Sequence, residues 1–281
     1  MYHYRIVDKN ISSALILEDD VDWDVRIKRQ LQEYALTTRA LLQPLRYYLP
    51  TPPSYADPSL LSPSEFQGMP DDIDFDRLPR TTTPTETPYG DGWDVLWLGH
   101  CGAEFPNTNI ESIGFRSQQL PRGRVVHKND ETVPENDYLH FRSEADDPRK
   151  TYPPHTRVTH HVIDTICSLG YAVSQQGARQ LLYKMGVSRF DREYDVMLLD
   201  HCQGDNGGNC LTMQPQLFNH HRPAGYINFH SDISNHTGQD VTENVAEKAS
   251  TEMIRWSTRM NLWNLIKGKS DYNDEWPDHD V

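Results

Sequence analysis

Residues Ala14 to Asp24 read Ala-Leu-Ile-Leu-Glu-Asp-Asp-Val-Asp-Trp-Asp, an apolar run that opens directly into five carboxylates (Glu18, Asp19, Asp20, Asp22 and Asp24). No other stretch narrows the possible folds as far. A short unbroken apolar run predicts a strand buried on both faces, as in parallel sheets covered by helices. Ligands of open α/β sheets bind beyond the carboxyl ends of the strands, which is where these acids fall. Crowded carboxylates repel one another unless a cation joins them, and hard oxygen donors suit Mg²⁺, Mn²⁺ or Ca²⁺. Strand alternation puts Glu18 and Asp20 on one face and Asp19 on the other. The expectation is a divalent-metal site able to hold a phosphate-bearing substrate, with Asp22 in the turn and Asp24 capping the helix that follows.

Other chemistries fit the same residues less well. An EF-hand loop starting at Asp20 fails at Val25 and Leu31, where Gly and Glu are needed. A phosphatase-type pair, Asp20 with Asp22, is followed by Trp23 and Asp24 where a small hydroxyl residue is usual. Of the 13 histidines, His160-His161 and His220-His221 form adjacent pairs, and in an extended segment only one of each pair can face a given site. His220 is the candidate that would close the metal shell from the C-terminal side. Asp195, within Glu193-Tyr-Asp-Val-Met, is a candidate general base for a hydroxyl acceptor. The four cysteines (Cys101, Cys167, Cys202 and Cys210) form no CxxC pair, which argues against zinc. They leave two disulfides or reduced thiols equally open.

A net charge of −14 excludes a general nucleic-acid or anionic-membrane binder, but not a phosphate substrate whose charge a metal neutralises. No run approaches the roughly 20 apolar residues of a membrane span. Hydrophobic content of 36% is low, so part of the length must be solvated loop. Helical spacing predicts a short helix over the first residues and a second from about Asp24 to Gln43. Residues 50–91 form a proline-rich insertion, partly disordered by composition. Gly92–Gly99 and Thr165–Val173 predict further buried strands, the latter running into a helix capped by Ser174 and closed by Gly186. Arg124–His127 and Leu211–Met213 predict short strands. An apolar stripe (Val241, Val245, Ala249, Met253, Met260, Trp263) predicts an amphipathic helix over 239–268, packed on a domain of residues 1–238. An acidic tail, 269–281, follows.

Taken in order, several segments resemble glycosyltransferase family 25, which includes lipooligosaccharide and collagen galactosyltransferases. They are Ala14-Leu-Ile-Leu-Glu-Asp-Asp-Val21, Gly92-Trp-Asp-Val-Leu-Trp-Leu-Gly99, Gly170-Tyr-Ala-Val-Ser-Gln-Gln-Gly-Ala-Arg-Gln-Leu-Leu182, Asp195, and Phe218 to Ile233 with its Ser231-Asp232-Ile233. The proline-rich insertion looks most like fungal members. The resemblance implies a GT-A-like α/β fold, Rossmann-like, with a mixed, mostly parallel sheet flanked by helices. It implies Mn²⁺ or Mg²⁺ on Glu18, Asp19 and Asp20, a UDP-sugar donor (UDP-galactose), and inverting transfer of the hexose to a glycan or glycoprotein hydroxyl, with Asp195 as base. Tyr171, Ser174, Gly177 and Asp232 would contact substrate. The chain departs from the family in two places. It has no counterpart of the family's first, nucleotide-binding strand, so the expectation is an N-terminally incomplete domain with an exposed sheet edge and reduced or lost activity. It also has Glu193-Tyr194-Asp195 in place of Pro-x-Asp.

The sequons Asn10-Ile11-Ser12 and Asn235-His236-Thr237 suit a Golgi or secretory-pathway lumen, reached through an upstream anchor. The rival expectations are a non-catalytic scaffold of the same fold and a metal-dependent phosphohydrolase.

Overall fold

The computed structural model describes residues 2–46, 53–57, 72–106, 123–142, 147–188, 191–203, 207–226 and 245–279. Helix α1 (Tyr2–Asp8) leads through the left-handed Asn10 into β1 (Ser13–Leu17), followed by β2 (Val21–Trp23) and α2 (Ile27–Leu42). Next come β3 (Asp72–Asp74), β4 (Val95–Gly99), β5 (Arg124–His127), the single turn α3 (Pro148–Thr151), β6 (Arg157–His161) and β7 (Gly170–Ser174). Helices α4 (Gln175–Leu181) and α5 (Tyr194–Gln203) precede β8 (Cys210–Gln214), β9 (Phe218–Arg222) and β10 (Gly225–Tyr226). The last elements are β11 (Val245–Ala246), β12 (Ser250–Thr251) and α6 (Leu262–Ile266).

Strands β1-β7-β4-β8-β6-β5-β3 lie side by side in one sheet, and β9 joins it to β2 and β12. Among the described residues of this sheet six pairings are antiparallel (β1·β7, β4·β7, β5·β6, β6·β8, β2·β9, β9·β12) and three parallel (β3·β5, β4·β8, β4·β9), and β10 and β11 form a separate antiparallel pair. The expected mostly parallel sheet is therefore corrected. The protein is mixed α/β, with a mixed, mostly antiparallel sheet flanked by helices. The physical reason is that an interior strand covered on both faces carries the same continuous apolar run whichever way its neighbours point. Strand β4 is such a case: all five residues are buried, yet β7 runs antiparallel to it and β8 parallel.

Alternation along β4 divides the core. Val95 and Trp97 pack with Ile6, Tyr171, Ala178, Leu181 and Leu198 on the face covered by α1, α4 and α5. Leu96 and Leu98 pack with Tyr34, Leu41, Leu211 and Phe218 on the face covered by α2. Where β4 and β7 converge, a Cβ on Gly99 would lie 2.8 Å from the Gly170 nitrogen, so only glycine allows that approach.

Further expectations change. Strand β1 is not buried on both faces: among the described residues it pairs only with β7, and Leu15 and Leu17 are 44% and 37% exposed. Part of the proline-rich insertion supplies β3, the outer strand, held by an Arg124–Asp72 ion pair at 2.8 Å. The amphipathic helix over 239–268 does not form as one element in its described part, 245–268, where only the short α6 is helical. Thr251 pairs with His221, Met253 adopts φ 59°, and of the expected buried stripe Val245, Met260 and Trp263 are exposed. Helical spacing there loses to specific polar demand from β2, set out below. The acidic tail is docked on the body, Trp276 Nε1 donating to the Thr251 carbonyl at 2.9 Å. Helix α4 passes at Leu182 into a wider π-type turn through Ser188, and Gly186 does not close it in a left-handed conformation.

All four cysteines are paired. Cys101–Cys167 ties the end of β4 to the loop before β7, and Cys202–Cys210 ties α5 to β8. No helix among the described residues is long and apolar enough to cross a membrane.

Candidate metal centre

The five acids at the end of β1 divide into two groups with different employment. Asp22 and Asp24 are fully buried and structural. Asp22 accepts from Thr251 Oγ1 at 2.8 Å, from Arg259 N at 3.1 Å, from its neighbour Trp23 N at 2.8 Å, and from Ser257 Oγ. Asp24 takes the Arg26 guanidinium through Nε and one terminal nitrogen, both at 2.8 Å, and also accepts from Trp256 N at 3.2 Å. It does not cap α2 formally. The helix begins at Ile27, directly after the turn that Asp24 closes by accepting from Arg26 N at 2.9 Å. Sequence crowding alone does not separate these acids from their neighbours, because beside the local Trp23 and Arg26 their partners are Thr251, Trp256, Ser257 and Arg259, far along the chain.

Glu18 and Asp20 form the other group, together with His220. One donor atom from each of the three lies within 4.8 Å of the others. The β2·β9 register, which sets Val21 opposite His220, delivers the imidazole to the side of Asp20, with Nδ1 3.8 Å from Asp20 Oδ2. Glu18 is held by Ser168, whose hydroxyl donates to Oε1 at 2.8 Å. Partial desolvation first, and the charges of Asp20, Asp195 and Asp19 after it, raise the Glu18 carboxyl above its ordinary value, while the Ser168 hydrogen bond offsets part of that. Asp19 does not join the three. Its carbonyl accepts from Arg259, and its side chain lies outside the cluster, as strand alternation implies.

Two carboxylates and an imidazole match the donor preferences of Mn²⁺, and Mg²⁺ would use the carboxylates alone. The carboxylates fit directly. His220 fits conditionally: Arg222 donates to its Nδ1 at 2.8 Å, and Nε2 is buried with no partner among the described residues. Desolvation and the Arg222 charge together lower the His220 pKa, which keeps the ring neutral as a ligand must be. A cavity of about 180 Å³ borders His220 and is lined also by His140, Asn219, Arg222 and Glu252, though not by Glu18 or Asp20.

Asp195 lies near enough to Glu18 to repel its charge. Its Oδ2 accepts from Cys167 N at 2.9 Å and its Oδ1 from Val196 N at 2.9 Å. The loop at 167–168 therefore supports both Asp195 and Glu18, and the Cys101–Cys167 disulfide anchors that loop to the end of β4. Tyr171 is buried below the cluster, its hydroxyl accepting from Tyr194 at 2.6 Å; burial pushes its pKa up to about 12. Ser174 caps α4, accepting from Gly177 N at 3.0 Å. Gly177 meets the β4 entry so closely that a Cβ would lie 2.3 Å from the Asp94 carbonyl oxygen. These three positions thus pack and cap, in place of the substrate contacts expected of them. Asp232, with the rest of Ser231-Asp232-Ile233, lies outside the described residues, as does the Asn235 sequon.

Ser168, His140 and Arg222 were not singled out by the sequence. Only Arg222, a cation following two histidines, left any signal there. No protein-family model, no curated protein and no solved structure matches the chain.

Proposed function

We propose that the protein is a metal-dependent glycosyltransferase of the family 25 type, transferring a hexose from a UDP-sugar to a hydroxyl of a glycan or glycoprotein. The observation that carries this reading is the convergence of Glu18, Asp20 and His220 at the carboxyl end of β1, beside a cavity lined by Arg222 and His140. Glu18 and Asp20, with His220 once Arg222 turns away, would hold Mn²⁺ or Mg²⁺, which when bound supplies the charge that neutralises a diphosphate leaving group. Arg222 is placed to meet a phosphate oxygen from the cavity side. Both Asp195 oxygens retain a lone pair, so it serves as the base: the acceptor oxygen attacks the anomeric carbon, its proton passes to Asp195, and UDP departs. Two disulfides fit a secretory-pathway lumen.

Calorimetric titration of the whole chain with UDP, with and without Mn²⁺, tests the proposal. Binding that requires Mn²⁺ and disappears in Asp20→Asn is expected. UDP binding that is absent in both conditions would favour a scaffold. Acceptor-independent release of phosphate from a sugar phosphate would favour a phosphohydrolase.

A further inference from the structure

A second group of donors gathers far along the chain from the first, and none of its members belongs to the sequence motifs above. Glu135 stands before a short 3-10 turn (Asn136–Tyr138), His155 in the loop before β6, and Asp278 in the docked C-terminal segment. One donor atom from each of the three lies within 4.8 Å of the others. His279 joins from the same segment. Its Nδ1 bonds Glu135 Oε2, and its ring stacks on Tyr138 with centroids 5.4 Å apart.

The tautomer of His155 is fixed by its surroundings. Its Nδ1 lies 2.7 Å from the Val133 carbonyl oxygen, which can only accept, so Nδ1 carries the proton. In the neutral ring Nε2 then presents a lone pair to Asp278 Oδ1, 3.8 Å away. That separation is too long for a hydrogen bond, so neither atom satisfies the other. Two ligands of one tetrahedral ion stand about 3.4 Å apart when each bond is about 2.0–2.1 Å. A backbone carbonyl fixing the far nitrogen is also the usual support of a metal-binding histidine. The charge balance points the same way. Asp274 and Asp278 share the guanidinium of Arg255, which reaches Asp278 Oδ1 at 3.0 Å, while Glu135 is held by His279 alone among the described residues. Two carboxylates thus share one permanent cation, and Glu135 pairs with none among the described residues. One terminal nitrogen of Arg255 reaches both Asp278 oxygens, at 3.0 and 3.2 Å, and leaves each a further lone pair.

We infer that Glu135, His155 and Asp278, with His279 beside them, form a binding site for a divalent transition ion of the zinc type, which clamps the C-terminal segment to the 130–140 loop. Imidazole with carboxylate is a donor set suited to Zn²⁺. The clamp would reach further into the fold, because the same segment carries Glu275, whose Oε1 accepts from Thr251 N at 2.9 Å, and Thr251 in turn bonds Asp22.

The test is calorimetric titration of the full chain with ZnCl₂ in a non-coordinating buffer. An Asp20→Asn background removes the first site, so failure of one assignment leaves the other standing. One equivalent of Zn²⁺ is expected to bind, with affinity falling at least tenfold in both His155→Ala and Asp278→Asn. Asp278→Asn alters a half-exposed side chain and keeps the test valid if His155→Ala folds poorly. Zn²⁺ should also slow amide exchange across 271–279 in the background chain and not in Asp278→Asn. Unchanged Zn²⁺ affinity in Asp278→Asn, or exchange in 271–279 indifferent to Zn²⁺, overturns the inference.

Discussion

Asp22 and Asp20 stand two residues apart in the same acidic run, and the structure assigns them opposite consequences on mutation. In Asp22→Ala, the hydroxyls of Thr251 and Ser257 and the amide of Arg259 lose their shared acceptor inside a fully buried site. Hydrogen bonds to a charged group contribute about 1.5–3 kcal/mol each, so three non-local bonds amount to roughly 4–9 kcal/mol gross. Removing the buried charge returns several kcal/mol of desolvation. A net loss of about 3–5 kcal/mol remains, near the upper end for single substitutions. At about 2–4 °C per kcal/mol for a chain of this size, Tm should fall by roughly 10 °C. Asp20, 38% exposed at its side chain and without such partners, should change stability by no more than about 0.5 kcal/mol as Asn, and should lose Mn²⁺ binding. Urea denaturation followed by fluorescence and circular dichroism measures the first effect, and Mn²⁺ titration the second. A cost below about 1 kcal/mol for Asp22→Ala, or loss of Mn²⁺ binding in a folded Asp22→Ala chain, would refute the division of the acids.

Further outcomes follow from the same geometry. Gly177→Ala should cost more than about 2 kcal/mol, because its Cβ would collide with the Asp94 backbone, which cannot move without β4; a stability equal to wild type in urea melts would restore the substrate-contact reading. Burial, with the Asp22 charge adding to it, pushes Glu275 up to about 7. The folded state therefore holds a proton that the unfolded state has released between about pH 4.5 and 7, and stability falls as pH rises through that window. Glu275→Gln should flatten this slope in pH-dependent melts, and a slope that survives would place its origin elsewhere. Replacing Cys101 and Cys167 with Ala should cost about 2–4 kcal/mol and should weaken Mn²⁺ binding as well, because the freed loop carries Ser168 and Cys167; calorimetry showing full Mn²⁺ affinity would separate that loop from the site.

How far the chain can be read without its fold is clearest element by element. Helix α1, helix α2, β4 and β5 sit where local periodicity places them, since each buries a face that its own residue spacing defines. Strand β6 was missed because Arg-Val-Thr-His-His does not read as interior. Its histidines are buried only because Gln214, the His161 carbonyl and Asp57 supply partners. Strands β2 and β9 are short and polar and exist through their pairing with each other. The helix expected over 239–268 had spacing in its favour, but in its described part Thr251 and Ser257 are drawn to Asp22 instead.

What the residues alone determined is that a β-strand ends in a concentration of negative charge, that helices follow it, and that a cation is the natural remedy for part of that charge. Strand direction, the edge position of β1, and the sorting of Glu18 and Asp20 from Asp22 and Asp24 were decided only in three dimensions. The reason is range. Periodicity records which side of an element is apolar, whereas pairing direction and the partner of each carboxylate depend on groups such as His220, Thr251 and Ser257, whose approach no local pattern encodes.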